Sequence, residues 1–321
     1  MNFELSEEQR MIQQSVERFV DDNYDLNSRV ALSSKSPGFS TENWHSMAEL
    51  GWLGLPFEEE DGGFGGNQID VLVVMEQFGR GLVLEPYLAS IVMGGGALKR
   101  GGTDALKNEI LPQVIEGTLQ LAFAYAEEQS RFDLDDVMTS ARKEGENFVL
   151  NGQKSMVQNA ETADKIVVSA RTSSGQVSPQ GITLFLIDAD AEGLSRDNFP
   201  TVDGLRASEI TLENVSVGPD RILGEVDQGF SILQSVANDA MLALSAEAVG
   251  AMEVLYKDTV DYTQQREQFD HPLSEFQVLQ HRMVDMFMEY EQCKSLLYRA
   301  TMETIQDPEA AQRTIHALMH L

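Results

Sequence analysis

Cysteine, basic charge and long apolar runs are all scarce in this sequence. Its 321 residues include one cysteine, Cys293, so no disulfide can form within the chain, which fits a reducing compartment. No uninterrupted stretch approaches the ~18 apolar residues that a membrane span needs. The N-terminus lacks the basic start and apolar core of a secretion signal. These absences predict a cytoplasmic protein without a membrane span, in which Cys293 is a packing residue rather than a nucleophile.

The charge is strongly one-sided, with 52 acidic residues against 23 Lys and Arg and a formal net charge of −29. Nucleic acids and anionic membranes would be repelled by such a chain, so neither is expected as a partner. The acidity is explained by solubility alone, and any site for an anionic ligand must be a local basic exception. Because 42% of the residues are hydrophobic, a sizeable core is expected, in one large domain or two or three smaller ones.

Hydrophobic spacing divides the chain into three parts. Residues 1–118 show helical periodicity, which begins with a possible capping box at Ser6 and Gln9. Residues 119–228 contain short β-branched runs and are predicted to form a small antiparallel sheet, with a hairpin turn at Asn151-Gly152. Helical periodicity returns in residues 229–321, an incomplete helical bundle. The predicted fold class is α+β, with a β domain between two α-helical ones.

Several segments, in this order and spacing, resemble the acyl-CoA dehydrogenase family of flavoproteins. They are LSEEQRMIQQSVERFV (5–20), ELGWLGLPFEEEDGGFGG (49–66), LAFAYAEE (121–128), VLNGQKSMVQNAETADKIVVSAR (149–171), GLRASEITLENVSVGPDRILGEVDQGF (204–230) and REQFDHPLSEFQVLQ (266–280). This resemblance covers the whole chain. Within the family, the chain most resembles the small subunit of pimeloyl-CoA-type dehydrogenases. The resemblance implies FAD as cofactor and α,β-dehydrogenation of an acyl-CoA thioester, with the dicarboxylyl-CoA thioesters as the narrower substrate class.

The resemblance also implies positions for the flavin. Arg266 would meet the FAD pyrophosphate with its guanidinium fork, and with Gln268 and Phe269 would reach the adenosine half of a neighbouring subunit's flavin. Phe276 and Gln277 match an aromatic-plus-glutamine pair nearby. The alternative for Arg266 is an exposed arginine paired with a neighbouring acid.

Phe123 matches the family's aromatic residue against the flavin ring, although an ordinary core phenylalanine is an equally good interpretation. The implied partners are an acyl-CoA, an electron-transfer flavoprotein, and further copies of this chain or a larger dehydrogenase subunit.

Departures from the family pattern weaken the case for an intact site. Ala126 replaces a threonine beside the flavin ring, and Met156 stands where the family has a tryptophan. Asp270 replaces a glycine near the expected phosphates, and Met241 replaces an arginine that helps to hold CoA.

The expected catalytic carboxylate is also missing. In most of the family it lies beyond residue 321, and in a minority it stands at the position of Ala240 here, with Asp239 turned about 100° away around the helix. No catalytic residue is therefore predicted, and this chain alone is expected to be inactive. Three hypotheses stay open: a dehydrogenase, the non-catalytic half of a heteromeric dehydrogenase, or a truncated product.

Three other patterns are interpreted as structural. The glycine-rich stretch 61–66 does not follow a strand and is predicted to be a loop rather than a dinucleotide fingerprint. His316 and His320 have metal-compatible spacing but no third ligand, so no metal is expected. The acids from Glu127 to Asp136 are predicted to form a solvated loop.

Overall fold

The computed structural model describes residues 4–320 and consists of two compact units. One unit comprises the chain up to Asp25, Asn67–Val83 and the chain from Met241 onward; the other comprises Leu26–Gly66 and Leu84–Ala240. The α-helices are α1 (Glu7–Asn23), α2 (Leu26–Ser33), α3 (Thr41–Glu49), α4 (Gln68–Gly81), α5 (Gly96–Gly101), α6 (Asp104–Ile115), α7 (Phe230–Gln265), α8 (Gln277–Gln306) and α9 (Pro308–Leu318). The strands are β1 (Leu121–Ala124), β2 (Ser140–Glu144), β3 (Asn147–Gln158), β4 (Lys165–Arg171), β5 (Ile182–Asp188), β6 (Leu194–Pro200), β7 (Arg206–Val217), β8 (Ile222–Leu223), β9 (Glu267–Gln268) and β10 (His271–Pro272).

The first unit is helical, and its first helix begins where the sequence predicts. The Ser6 hydroxyl accepts from the Gln9 amide at 3.1 Å, and the Gln9 side chain accepts from the Ser6 amide at 3.0 Å, which confirms the capping box. Val16 and Val20 are buried on one face of α1. The Gln9 side chain also donates to Asp70 of α4 at 3.2 Å. Local capping and an apolar stripe therefore place α1 against α4.

Glycines allow α4 and α7 to approach closely. A Cβ atom on Gly79 of α4 would lie 1.8 Å from the carbonyl oxygen of Glu247, and one on Gly250 of α7 would lie 1.9 Å from that of Glu76. Each glycine thus faces the backbone of the opposite helix, where no side chain fits.

Buried charges in this unit are paired. The Glu76 carboxylate is 3% exposed and lies 3.0 Å from Lys294 of α8. Burial alone would lower the pKa of Lys294, but the attraction of Glu76 outweighs it and the net pKa is raised. Arg80 contacts Glu253 of α7 at 2.9 Å. These pairs tie α4 to α7 and α8.

The second unit contains an eight-stranded sheet in the order β6-β7-β3-β2-β4-β5-β8, with β1 joined to β4. Most pairs are antiparallel, as predicted, but β1 runs parallel to β4, with Leu121 opposite Lys165 and Ala124 opposite Val168. The β2–β4 pairing, with Ser140 opposite Arg171, is parallel as well, so the purely antiparallel expectation is wrong for both pairings. All four β1 residues are buried, which is typical of a parallel strand covered on both faces.

Asn151-Gly152 is not a hairpin turn. Strand β3 runs straight through it, and the hairpin between β2 and β3 closes six residues earlier at Gly145, whose φ is 65°. Asn151 instead lies in a bulge opposite β7, where its side-chain oxygen accepts from the amide of Asn214 at 2.9 Å. A Cβ on Gly152 would lie 2.6 Å from Thr139. The glycine is needed for close packing rather than for a turn.

The helical part of the second unit contains a nine-residue π-helix, Tyr87–Gly95, which continues into α5. Such helices are rare and often stand at functional sites. Ser90, in its middle, is fully buried and accepts from the amide of Leu121 in β1 at 3.0 Å. The π-helix therefore packs against the start of the sheet.

The division at residues 118/119 and 228/229 stays a prediction. No helix within residues 4–320 combines the length and apolarity that crossing a bilayer requires. Cys293 is buried on α8, and burial raises the pKa of its thiol, in agreement with a packing role.

Candidate functional site

The C-terminal end of β1 carries the first predicted site residue. Phe123 is 4% exposed, and its ring centroid lies 5.7 Å from that of Tyr125. The chain leaves the sheet at Ala126, whose carbonyl accepts from the amide of Ser155 in β3 at 2.9 Å. This contact brings the segment after NGQK beside the exit of β1.

A buried ion pair lies under this exit. The Lys154 ammonium is fully buried and lies 2.7 Å from the Glu127 carboxylate, which is 3% exposed. The carboxylate also accepts from the amides of Met138 and Thr139, at 2.8 and 3.0 Å, and from the Gln129 side chain at 2.8 Å. The solvated-loop prediction is therefore wrong for Glu127, because a partner 27 positions away takes it into the core.

The two charges respond differently to burial. Burial lowers the pKa of Lys154 to about 8, with Glu127 opposing the shift. Burial would raise the pKa of Glu127, but attraction and hydrogen bonding from Lys154 outweigh it, and the net pKa is lowered. Lys154 and the hydrogen bonds thus favour the ionised form of Glu127, whereas burial opposes the charge of Lys154.

The other predicted residues lie on a β-hairpin between α7 and α8. Arg266 precedes β9 and is exposed, and its guanidinium has no ion pair among the residues that the structure describes. Gln268 ends β9, and its side-chain amide donates to the carbonyl of Glu267 at 2.8 Å. The guanidinium is therefore available to an anion in a chain of net charge −29.

The turn of this hairpin consists of Phe269 and Asp270, with φ angles of 57° and 62°. Left-handed conformations at both positions define a type I′ turn, which favours Asn-Gly. Phe269 is 86% exposed, and its ring lies edge-on to that of Phe276 at 6.4 Å. Gln277 is exposed at the first position of α8.

The structure thus brings five of the six predicted residues onto one hairpin and its junction with α8, whereas Phe123 belongs to the other unit. An exposed guanidinium beside exposed amide and aromatic side chains suits a phosphate group joined to a flat ring system. The donor set fits the adenosine diphosphate half of a dinucleotide.

The position beside the alternative base is occupied by an ion pair. Asp239 on α7 lies 2.5 Å from Arg100 at the end of α5. The carboxylate that stands beside the alternative base position is thus engaged by a guanidinium of its own unit. Ala240 follows it and has no acid–base function, and Met241 offers no charge to a phosphate.

Family comparisons account for nearly the whole described chain. The acyl-CoA dehydrogenase N-terminal domain matches residues 6–118, the middle domain of that family matches 122–215, and its C-terminal domain matches 227–318. The chain belongs to the acyl-CoA dehydrogenase family. Enzymes of this family are FAD-dependent oxidoreductases that act on CH–CH bonds. The predicted family and fold class are confirmed.

Individual members of the acyl-CoA dehydrogenase family match over most of the chain. The probable acyl-CoA dehydrogenase YngJ of Bacillus subtilis (strain 168) is 29% identical over 305 residues, or 94% of this chain and 80% of its own. The structure of PigA with FAD and proline superposes with a TM-score of 0.90 at 27% identity, covering 99% of this chain and 84% of PigA. A glutaryl-CoA dehydrogenase in complex with glutaryl-CoA superposes with a TM-score of 0.87 at 26% identity, covering 95% and 78%.

Sequence reasoning missed the Lys154–Glu127 pair. A lysine among the apolar residues of a strand's inward face is a signal for a buried partner, and Lys154 stands between buried Leu150 and Val157. The sequence did not indicate which acid this was, because Glu127 stands close to four other acids, Glu128, Asp133, Asp135 and Asp136, none of which is buried.

Proposed function

We propose that this chain binds FAD and takes part in the α,β-dehydrogenation of an acyl-CoA thioester. The observation that carries the proposal is Arg266, an exposed cation without an ion pair among residues 4–320, on a hairpin with exposed Gln268 and Phe269. Arg266, with Gln268 and Phe269, would reach the pyrophosphate and the adenosine half of a neighbouring subunit's FAD, and Phe276 and Gln277 would lie nearby. Phe123 would contact the ring system of the FAD held by its own subunit, whereas the FAD that Arg266 reaches would belong to a neighbouring subunit.

The bound flavin supplies the hydride acceptor for the carbon β to the thioester. The protein must place the thioester and polarise its carbonyl as the α-proton leaves. In the helical unit, the side-chain amides of Gln268 and Gln277 would supply uncharged hydrogen-bond donors close to the guanidinium of Arg266. In the other unit, the Lys154–Glu127 pair fixes the backbone on which Phe123 and Ala126 stand.

We further propose that the chain described here does not turn over alone. Asp239 is held by Arg100, and its neighbour Ala240 carries no acid. The proton acceptor would then come from outside the described residues. A second candidate function follows from the same ion pair: the non-catalytic subunit of a heteromeric dehydrogenase, which lends Arg266 to a larger subunit's flavin.

The finer substrate class we propose is a dicarboxylyl-CoA such as pimeloyl-CoA, supported by the likeness to a dehydrogenase that holds glutaryl-CoA. We also propose an electron-transfer flavoprotein as acceptor, assembly into a homo-oligomer or with a larger subunit, and a cytoplasmic location. Family membership supports the first two, and the single cysteine is compatible with the last.

FAD titration of the flavin-free chain tests the cofactor site. Arg266→Ala should weaken FAD binding by at least about tenfold, since a charge-assisted bidentate contact is lost. The FAD affinity of Arg266→Lys should lie between those of the wild type and Arg266→Ala, because an ammonium group keeps the positive charge but cannot make a bidentate contact. The matched control is Arg282→Ala, an arginine that is 80% exposed on α8, which should bind FAD as the wild type does. Equal affinities of wild type and Arg266→Ala, or no FAD binding by the wild type, would contradict the site.

Anaerobic mixing of the FAD-loaded chain with acyl-CoA thioesters separates the two functions. Loss of flavin absorbance only after a larger dehydrogenase subunit is added would support the subunit proposal. Bleaching by the chain alone would show that an acid of its own serves as base. A faster reaction with pimeloyl-CoA than with a monocarboxylic acyl-CoA of equal length would support the dicarboxylyl class.

A further inference from the structure

Strand β3 contains a second irregularity, directly after its buried lysine. The pairing of β3 with β7 shifts register between Lys154 and Val157, and Met156 has a φ of 54°. A left-handed conformation is uncommon for a residue with a long side chain and persists only where its surroundings enforce it. Bulges of this kind frequently stand beside binding sites, where they redirect a side chain.

The redirected side chain is Met156. Lys154 and Val157 on either side of the bulge are buried, whereas Met156 is 54% exposed. The bulge therefore turns an apolar thioether outward from a strand whose neighbouring positions face the core. A thioether packs favourably against the edge or face of an aromatic ring.

Two acceptors outside β3 hold the bulge. The carboxylate oxygen Oε1 of Glu209, on β7, accepts from the Ser155 hydroxyl at 2.9 Å and from the Met156 amide at 3.3 Å. The Ser155 amide donates to the carbonyl of Ala126 at 2.9 Å. Glu209 thus satisfies an amide that the register shift has removed from the regular ladder.

The contact with Ala126 places the bulge next to the exit of β1, which carries Phe123. This is the part of the second unit to which the proposed function assigns the flavin ring. Glu209 is exposed and lies on another strand, so its two hydrogen bonds are not needed to fill the core.

We propose that Glu209 is a positioning residue, whose carboxylate holds the 155–156 bulge so that Met156 meets the isoalloxazine ring of FAD. The inference rests on the proposed flavin site and names how this chain shapes it. The ligand that the bulge would contact is a flat, redox-active aromatic ring.

The test compares Glu209→Ala, Glu209→Gln and a matched control, Glu213→Ala. Glu213 is an exposed glutamate four positions further along β7. Glu209→Ala should weaken FAD binding by about fivefold to tenfold, because Met156 would no longer be held in contact with the ring, a loss within the range of one thioether–aromatic contact, and should shift the visible spectrum of bound flavin. Glu209→Gln keeps an acceptor and should restore most of the affinity. Glu213→Ala should behave as the wild type.

Two measurements on the flavin-free chain distinguish positioning from a structural role. The midpoint of thermal unfolding should be unchanged in Glu209→Ala, whereas hydrogen exchange at the Met156 amide should become faster. A lowered unfolding midpoint with an unchanged flavin spectrum would overturn the inference, as would unchanged exchange at Met156. If wild type and Glu209→Ala bind FAD equally, the inference fails and the proposed function stands. If the wild type binds no FAD, both fail.

Discussion

At the scale of single residues, Glu85 is the carboxyl group most affected by its surroundings. It is 5% exposed, its Oε1 accepts from the Ser40 amide at 3.2 Å, and its Oε2 has no hydrogen-bond partner among the residues that the structure describes. Burial raises the pKa of Glu85 to about 7, against weaker opposition from backbone hydrogen bonds. Below about pH 7 the site therefore favours a neutral side chain.

This raised pKa predicts a pH-dependent stability. The folded protein holds a proton on Glu85 between the unfolded pKa near 4.5 and about 7, so the stability from protonation is full below that window and is lost as pH rises through it. Glu85→Gln should abolish this loss of stability with rising pH, because glutamine stays uncharged. Its free energy of unfolding should match the wild type near pH 4.5 and exceed it near pH 8 by on the order of 2–3 kcal/mol.

Urea unfolding at several pH values measures this difference. The exposed Glu116→Gln is the matched control and should give a curve parallel to that of the wild type. Parallel curves for Glu85→Gln and wild type would show that Glu85 is ionised in the folded protein.

At the scale of secondary-structure elements, the crossing of α4 and α7 is the least tolerant contact of the helical unit. Gly250→Ala would place a Cβ 1.9 Å from the Glu76 carbonyl, so one helix must move. The expected cost is about 2–4 kcal/mol of unfolding free energy, which outweighs the gain of about 1 kcal/mol in helix propensity. Thermal and urea unfolding measure it.

The control for this contact is Gly175→Ala, since a Cβ at Gly175 meets no atom within 4 Å. It should leave stability within about 0.5 kcal/mol of the wild type. A Gly250→Ala variant as stable as the control would mean that the helices can separate without loss of packing.

The elements that sequence reasoning found are those with a strong local pattern. The capping box at Ser6 depends only on neighbours in sequence, and it is confirmed. Strand β6 reads LSRDNFP and is mostly exposed, so it lacks the alternation that identifies a strand. Asn151-Gly152 has the residues of a turn, but contacts with Thr139 and Asn214 decide its conformation, and the local sequence contains neither.

The candidate site also contains residues that a local sequence pattern could identify and residues that only the folded chain brings together. Arg266, Gln268 and Phe269 lie within one short segment, so a resemblance to a family motif could name them together. Glu209 could not be found, because its contact with Met156 joins strands 53 positions apart and exists only once the sheet has formed. Non-local hydrogen bonds that stabilise an irregular backbone have no periodic signature.

At the scale of the whole molecule, the net charge of −29 opposes the compact state. Exposed ion pairs such as Lys99–Glu58 act in the other direction, but each contributes at most about 1 kcal/mol. Salt screens both the repulsion and the ion-pair attraction, so a rise or fall in stability on adding salt shows which of the two is larger. Because repulsion among so many acids is summed over the entire surface, we expect repulsion to dominate.

Raising NaCl from about 0.05 M to about 0.5 M, which shortens the screening length from about 14 Å to about 4 Å, should therefore raise the unfolding temperature by several degrees at pH 8. KCl should act equally, because screening depends on ionic strength rather than on ion identity. Near pH 5, close to the isoelectric point of about 4.4, the same addition should have little effect, since much of the negative charge is neutralised. A fall in unfolding temperature with salt at pH 8 would instead show that the exposed ion pairs contribute more than the repulsion. The buried Glu76–Lys294 pair could not account for such a fall, because salt screens a buried pair least.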